Sequence, residues 1–475
     1  MRKNLLFYLV TLILFGAGIY LLLDYGARLD HVVAPVAAST PVSATESTAM
    51  LDRLRAGLQH SLGILLLQMI VIILAARALG ALFRRIGQPS VMGEIVAGIL
   101  LGPSLLGLVL PAAQGFLFPA ESLDALKLFS QIGVILFMFV VGIELDLQHL
   151  RQKAQAAVLV SHASIVVPFF LGVGLSLFLY QKYAPAAVSF NAFALFMGIA
   201  MSITAFPVLA RIIEERGLGR SPLGALAIAC AAVDDVTAWC ILAIVVAMVK
   251  ADGWGGAIQT IVLALAFIAV MVLVVRPQAA RIFKAEVGKE THSQGLVAGV
   301  LVFVFLSALF TEVIGIHSLF GAFLAGVVLP MQARLRSFLR ERLETFSAAF
   351  LLPLFFAFTG LRTQVGLLDD WASWLLCAAI IGVAIAGKLG GSMLAARWTG
   401  MGWKDSFAVG TLMNTRGLIE LIVLNIGYDL GILSPRIFTM MVIMALVTTF
   451  MTGPILSWLG YGQRAVRGAK AAASV

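Results

Sequence analysis

Charge is scarce in this chain. Only 12% of its 475 residues are Asp, Glu, Lys or Arg, about half the share in an average soluble protein, which excludes an ordinary water-solvated domain. Cysteine is scarcer still: Cys230, Cys240 and Cys377 are the only three. All lie in apolar stretches, with the spacing of neither a disulfide framework nor a metal site. No Gly-x-Gly-x-x-Gly run is present, so nothing marks a nucleotide-binding domain. What the chain does have is apolar sequence, 61% of the total. Fourteen segments are long enough to cross a bilayer, at about residues 5–23, 61–80, 90–110, 126–145, 156–180, 189–213, 221–248, 257–275, 295–310, 314–329, 346–361, 371–396, 407–430 and 437–459. The division around Glu312, between 310 and 314, is the least marked.

The expected fold is therefore an all-α polytopic membrane protein with thirteen core transmembrane helices and an extra N-terminal hydrophobic helix. Residues 1–23 form that helix, a possible signal anchor. Residues 24–58 read as an Ala-, Ser-, Thr- and Pro-rich external linker, 59–462 as the transmembrane domain and 463–475 as a cytoplasmic tail. Alternating the loops from a cytoplasmic N-terminus places 23 Lys and Arg inside and 8 outside. The remaining two, Lys388 and Arg416, lie deep within spans. The net charge of +9 is thus mostly the positive-inside signal. It gives no reason to invoke nucleic acid, and it predicts a multi-pass protein of the inner membrane with a cytoplasmic C-terminus.

Against this background two adjacent carboxylates stand out. Residues 226–245, LAIACAAVDDVTAWCILAIV, carry Asp234 and Asp235 among otherwise uncharged residues. A charge at the bilayer centre costs at least about 2.5–3.5 kcal/mol, so the pair points to an ion or proton pathway. At 1.5 Å per residue Asp235 lies roughly 21 Å into its helix, near mid-membrane. Neighbouring helical positions point about 100° apart, so one acid can bind while the other pairs.

Other polar residues bracket this helix. In 197–216, MGIAMSITAFPVLARIIEER, Ser202, Thr204 and Pro207 fall together in mid-span and predict a broken helix. In 409–430 the run Asn414, Thr415, Arg416, Gly417 is a poor uninterrupted helix and predicts a second break. Arg416 and Glu420, four apart, read as an internal ion pair. Lys388, deep in its span, requires an acidic partner. Counted from residue 61, spans one to six start outside and eight to thirteen start inside. The two breaks then fall in equivalent spans, five and twelve, of inverted halves, a pointer to a midplane substrate site. Gly98 and Gly102 read as close-packing positions. Glu94 reads as solvated, Glu144 and Asp146 as interfacial partners of Arg151 or Lys153, and His317 as a hydrogen-bonded packing residue.

The stretches VDDVTAW, SITAFPVLARI, GIHSLFGAFLAGVVLP, TGLRTQ, AGKLGGS and MNTRGLIELIVLNIG together resemble the cation:proton antiporter-2 branch of the monovalent cation/proton antiporters, over about residues 61–460. The resemblance implies a homodimer in which a mobile core domain carries two crossed discontinuous helices past a fixed dimerisation domain. It implies that Asp235 is the ion-binding acid, Asp234 its polar partner, Lys388 the core lysine and Arg416 the crossover basic residue. Plant members often have lysine at the position of Arg416 and Asn or Gln at that of Asp234. The nucleotide-binding tail of the potassium-efflux members is expected to be missing.

The expected activity is exchange of Na⁺ or K⁺ for protons by alternating access, without a cofactor and without enzymatic chemistry. Asp235, with Asp234, Thr204 and Ser202 around it, would hold either H⁺ or the metal ion. Lys388 would pair with Asp234 and release a second proton. Arg416 would offset the negative ends of the broken helices, with Glu420 as its partner. The competing readings are a gated K⁺ efflux system needing a separate regulatory subunit, an intramembrane aspartyl protease and a channel. Adjacent acids on one helix do not supply the facing pair a protease needs. No channel filter is recognisable.

Overall fold

A computed structural model of the chain describes residues 61–144, 154–219, 221–250, 254–279, 281, 294–329 and 333–461, together with 10, 13, 15–22 and 24. Helices and their connections make up all of it, with no strand among the described residues. Lipid offers the backbone no hydrogen bonds, so an apolar run of this length has to satisfy its own amides as a helix. Among the described residues ten helices are long and apolar enough to cross a membrane, or eleven with one bent pair counted as a span. Phe190–Ser202 and Ser318–Val328 are shorter apolar helices.

In chain order the main elements are α1 (Ser61–Arg85), α2 (Ser90–Leu101), α3 (Ala120–Glu144), α4 (Ala154–Tyr183), α5 (Phe190–Ser202), α6 (Phe206–Glu215), α7 (Pro222–Lys250) and α8 (Trp254–Val270). There follow α9 (Gln294–Ile314), α10 (Ser318–Val328), α11 (Ala333–Phe346), α12 (Leu352–Leu361), α13 (Trp371–Ile385), α14 (Gly391–Trp398), α15 (Trp403–Met413), α16 (Leu418–Asp429) and α17 (Pro435–Trp458). Each of the thirteen expected core segments coincides with one of these helices or with a consecutive pair. The uncertain division near Glu312 is a tight turn at Gly315, whose φ of +91° suits glycine. Glu312 accepts from the Ser318 N–H at 2.9 Å, and His317 Nδ1 accepts from the Leu319 N–H at 3.4 Å. Both residues thus cap α10, the packing role expected of His317. The segment expected at 346–361 is longer, because basic, amphipathic α11 joins α12 through a π-helical turn at Ser347–Leu351.

Packing runs mostly within two sets of helices. One comprises α1–α3 and α9–α12, the flanking set. The other, the site set, comprises α4–α7 and α13–α17. Between α2 and α12 of the flanking set the backbones touch: a methyl at Gly98 would stand 2.1 Å from the Ala357 carbonyl oxygen, and one at Gly360 2.3 Å from that of Ile95. The close-packing role expected of Gly98 follows, and Gly102 lies against Leu361 in the same seam. Gly98→Val is expected to separate these helices and lower the melting temperature in detergent. An unchanged melting curve would refute the seam.

Of the N-terminal segment the described residues are helical, and Phe15 packs edge-on against Phe170 of α4 at 5.0 Å. The linker 24–58 beyond residue 24, the tail 463–475, Asp146, Arg151, Lys153 and the side chain of Glu144 lie outside the described residues.

Candidate functional site

Both expected breaks are present, and they meet. α5 ends at Ser202, residues 203–205 run extended, and α6 restarts at Phe206 with Pro207 in its first turn, where a missing N–H costs nothing. α15 ends at Met413, residues 414–417 leave the helix, and α16 restarts at Leu418 after a bend of 43°. Backbone groups freed in a membrane must find protein partners. The Ala205 N–H donates to the Thr415 carbonyl at 3.1 Å, joining one break to the other. Thr449 of α17 secures the second break: its hydroxyl accepts from the Arg416 N–H at 3.1 Å and donates to the Arg416 carbonyl at 2.8 Å.

α7 passes beside this crossing and brings both aspartates to it, fully buried. Their surroundings are opposite. Asp234 Oδ1 accepts from Ser161 Oγ at 2.5 Å, while Oδ2 accepts from Ser164 Oγ at 2.7 Å, Thr204 Oγ1 at 2.5 Å and Lys388 Nζ at 3.1 Å. Asp235 has no hydrogen-bond partner on either oxygen among the described residues. The N–H of Phe206, at the start of α6, acts on Asp235 without completing a hydrogen bond. The positive end of a half-helix therefore points at an otherwise undressed carboxylate.

Lys388 reaches Asp234 from a π-helical turn, Ala386–Gly390, between α13 and α14. Such a turn displaces one residue from the helical register, a distortion common at functional sites. Its ammonium also donates to Ser164 Oγ at 3.0 Å, to the Ser164 carbonyl at 3.1 Å and to the Ser202 carbonyl. Arg416, fully buried, donates to the carbonyls of Ala200 at 3.1 Å and Met201 at 2.7 Å and to Glu420 Oε1 at 3.1 Å. The exposed carbonyls that end α5 are thus covered by two cations, which complements the negative end of its dipole.

A cavity of about 830 Å³ leads to the crossing from the face that the Lys and Arg distribution assigns to the cytoplasm. Phe206 and Leu418, the first residues of the two restarted half-helices, line it, with Arg77, Glu94, Arg211 and Glu214 among its polar residues. Glu94, expected to be solvated, is 8% exposed and faces this cavity.

Every expected site residue is brought to the crossing, with two changes of detail. Ser202 contributes its carbonyl, because its hydroxyl bonds back to Gly198 at 2.6 Å, the usual local alternative for a helical serine. Thr204 dresses Asp234, not Asp235. Ser161 and Ser164 were missed. Their only signal is a pair of hydroxyls three apart in a span, which ordinary helix packing also produces. Removing the Ser164 hydroxyl, with Ser164→Ala, takes a donor from Asp234 and an acceptor from Lys388. A charge-assisted hydrogen bond is worth about 1.5–3 kcal/mol, so exchange through this site should fall roughly tenfold or more while the protein still folds. Wild-type flux in the variant would show the hydroxyl to be incidental.

A sequence model of a family described as sodium/hydrogen exchanger, transmembrane, matches residues 70–461. The chain is 48% identical over 398 residues to the Na(+)/H(+) antiporter NhaS4 of Synechocystis sp., covering 84% of this chain and 97% of that protein. It is 40% identical over 406 residues to cation/H(+) antiporter 17 of Arabidopsis thaliana, covering 84% of this chain and 48% of the plant protein. To K(+)/H(+) antiporter 1 of Saccharomyces cerevisiae it is 33% identical over 404 residues, covering 83% of this chain and 46% of the yeast protein. The chain therefore spans nearly all of the cyanobacterial relative and about half of the other two. The sodium proton antiporter MjNhaP1 of Methanocaldococcus jannaschii superposes with a TM-score of 0.62 over 86% of this chain and 99% of that one. At 14% identity, that is a likeness of fold.

Proposed function

Because this chain belongs to the sodium/hydrogen exchanger family, we propose that it exchanges a monovalent cation, Na⁺ or K⁺, for protons by alternating access, with Asp235 as the exchange site. One observation carries the reading. Of two buried neighbouring carboxylates, Asp234 accepts from three hydroxyls and an ammonium, and Asp235 accepts from no protein group. A buried carboxylate needs a proton or a counter-cation. With no hydrogen-bonded donor among the described residues, Asp235 takes one or the other from solution, and competition between H⁺ and a dehydrated cation at one site is exchange. Coupling follows if the loaded site changes faces and the bare, charged site does not.

Around that acid the other groups hold the site's shape. Lys388 and Arg416 tie the end of α5 to α14 and to the second break. Thr204 and the paired serines keep Asp234 engaged, which leaves its neighbour alone for the transported ion. The joining of the breaks through Ala205 and Thr415 supports the inverted-repeat arrangement. Residence in the inner membrane as a homodimer, with the C-terminus in the cytoplasm, accords with the charge distribution and the family. Proteoliposomes loaded with a pH-sensitive dye test the proposal: addition of Na⁺, K⁺ or Li⁺ outside should drive protons out of the lumen. A cation flux that moves no protons in return would favour a gated efflux path.

A further inference from the structure

Three helices run from the 830 Å³ cavity to the opposite face, and at that far end they meet in a second polar cluster. α3 lines the cavity at Phe137 and Ile143 and carries Lys127 near its other end. α12 lines it at Leu352 and Phe356, and Arg362 follows its last residue. α16 lines it at Leu418 and ends on Asp429. At 1.5 Å per residue, Leu418 and Asp429 are roughly 16 Å apart along the axis, with the crossing of the breaks at the Leu418 end.

The cluster joins the two helix sets. Asp429, of the site set, gives one oxygen to Lys127 Nζ at 3.0 Å and the other to Arg362 at 2.8 Å, both of the flanking set. Asn425, one turn earlier on the same face of α16, accepts from Arg362 at 3.0 Å and donates to Thr359 Oγ1 at 2.8 Å. The guanidinium lies 4.3 Å from the Phe358 ring centroid and 5.1 Å from that of Tyr428, closing the gap between α12 and α16 with aromatic surface. Beneath it remains a cavity of about 40 Å³ bordered by Ser130, Gln131, Ser318 and Asn425. That volume has room for one or two waters between the two helix sets.

We propose that Asp429, clamped by Lys127 and Arg362, is the gate that closes the transport path on the outer face, and that parting this clamp exposes the exchange site there. The inference rests on the alternating-access reading. Motion of one helix set past the other cannot open the outer side without breaking these bonds, since each of them crosses between the sets. Asn425 and Thr359 are positioning residues: they hold the end of α16 in line for the clamp and touch no transported ion.

Two measurements test the gate. In a background with the three native cysteines replaced, Ser130→Cys is labelled from outside by a membrane-impermeant thiosulfonate. Adding Asp429→Asn should raise the labelling rate roughly tenfold, the effect of about 1.4 kcal/mol on a two-state equilibrium. Equal rates in the two proteins would overturn the proposal. Independently, Gln131→Cys with Ile426→Cys, which border the small cavity from α3 and α16 and leave the clamp intact, bridged by a short dithiosulfonate, should stop Na⁺- or K⁺-driven proton flux, and a reductant should restore it. Flux that persists in the bridged protein would also overturn it. The wild-type protein in the same assay separates the two ideas, because absence of flux there would count against antiport itself and not against the gate.

Discussion

Asp235→Asn is expected to abolish coupled exchange and to leave the protein at least as stable as wild type. The amide keeps the shape of the side chain but neither takes up a proton nor offers a full negative charge to a metal ion. Both halves of the exchange are lost together, and proton flux on addition of Na⁺ or K⁺ should fall to the level of empty liposomes. The stability half of the prediction comes from the absence of protein donors on Asp235. Only the incomplete interaction with the Phe206 N–H weakens with the charge, and a buried charge without a partner costs several kcal/mol. Asp234→Asn should behave differently. It weakens four interactions, one of them the ion pair with Lys388 at 3.1 Å, and should lower the melting temperature. Measured in parallel, the two variants separate an exchange site from a structural acid. Coupled flux retained in Asp235→Asn would remove the central assignment.

The second large effect is expected at Arg416. Arg416→Met leaves Glu420 buried without its guanidinium and uncovers the Ala200 and Met201 carbonyls at the end of α5. Removing one member of a buried pair costs about 3–5 kcal/mol, mostly because the other charge is stranded, whereas replacing both is far milder. Arg416→Met should therefore expose the protein to heat and protease, and Arg416→Met with Glu420→Gln should recover much of the lost melting temperature. Flux should not recover with it, since the end of α5 and the crossing stay loosened. If the double variant is as unstable as the single one, Glu420 is not what Arg416 neutralises.

Much of this site is legible in the sequence because membranes make polarity expensive. Asp234, Asp235, Lys388, Arg416 and Glu420 stand out as charges in long apolar runs, and Pro207 and Gly417 mark the breaks as residues that helices avoid. The same logic exposes the thirteen spans. It fails for Ser161 and Ser164, since a hydroxyl in a span is cheap and common and carries no mark of its partner. It fails as well for the gate. Lys127, Arg362 and Asp429 lie near helix ends, where charge costs little, and nothing along the chain ties them to one another.

By itself, then, the amino-acid sequence determined that this is a multi-span helical protein, where its two central helices break, and which charged residues lie deep in its spans. Burial of charge and interruption of helices are local events with a large free-energy cost, and they are written residue by residue. Only the tertiary structure decided which aspartate is dressed and which is bare, that the two breaks bond to each other, and that Asp429 meets Lys127 and Arg362 across the two helix sets. Those outcomes depend on hydroxyls, carbonyls and ion pairs contributed by helices up to hundreds of residues apart, whose meeting is a property of the packing and of no single stretch of chain.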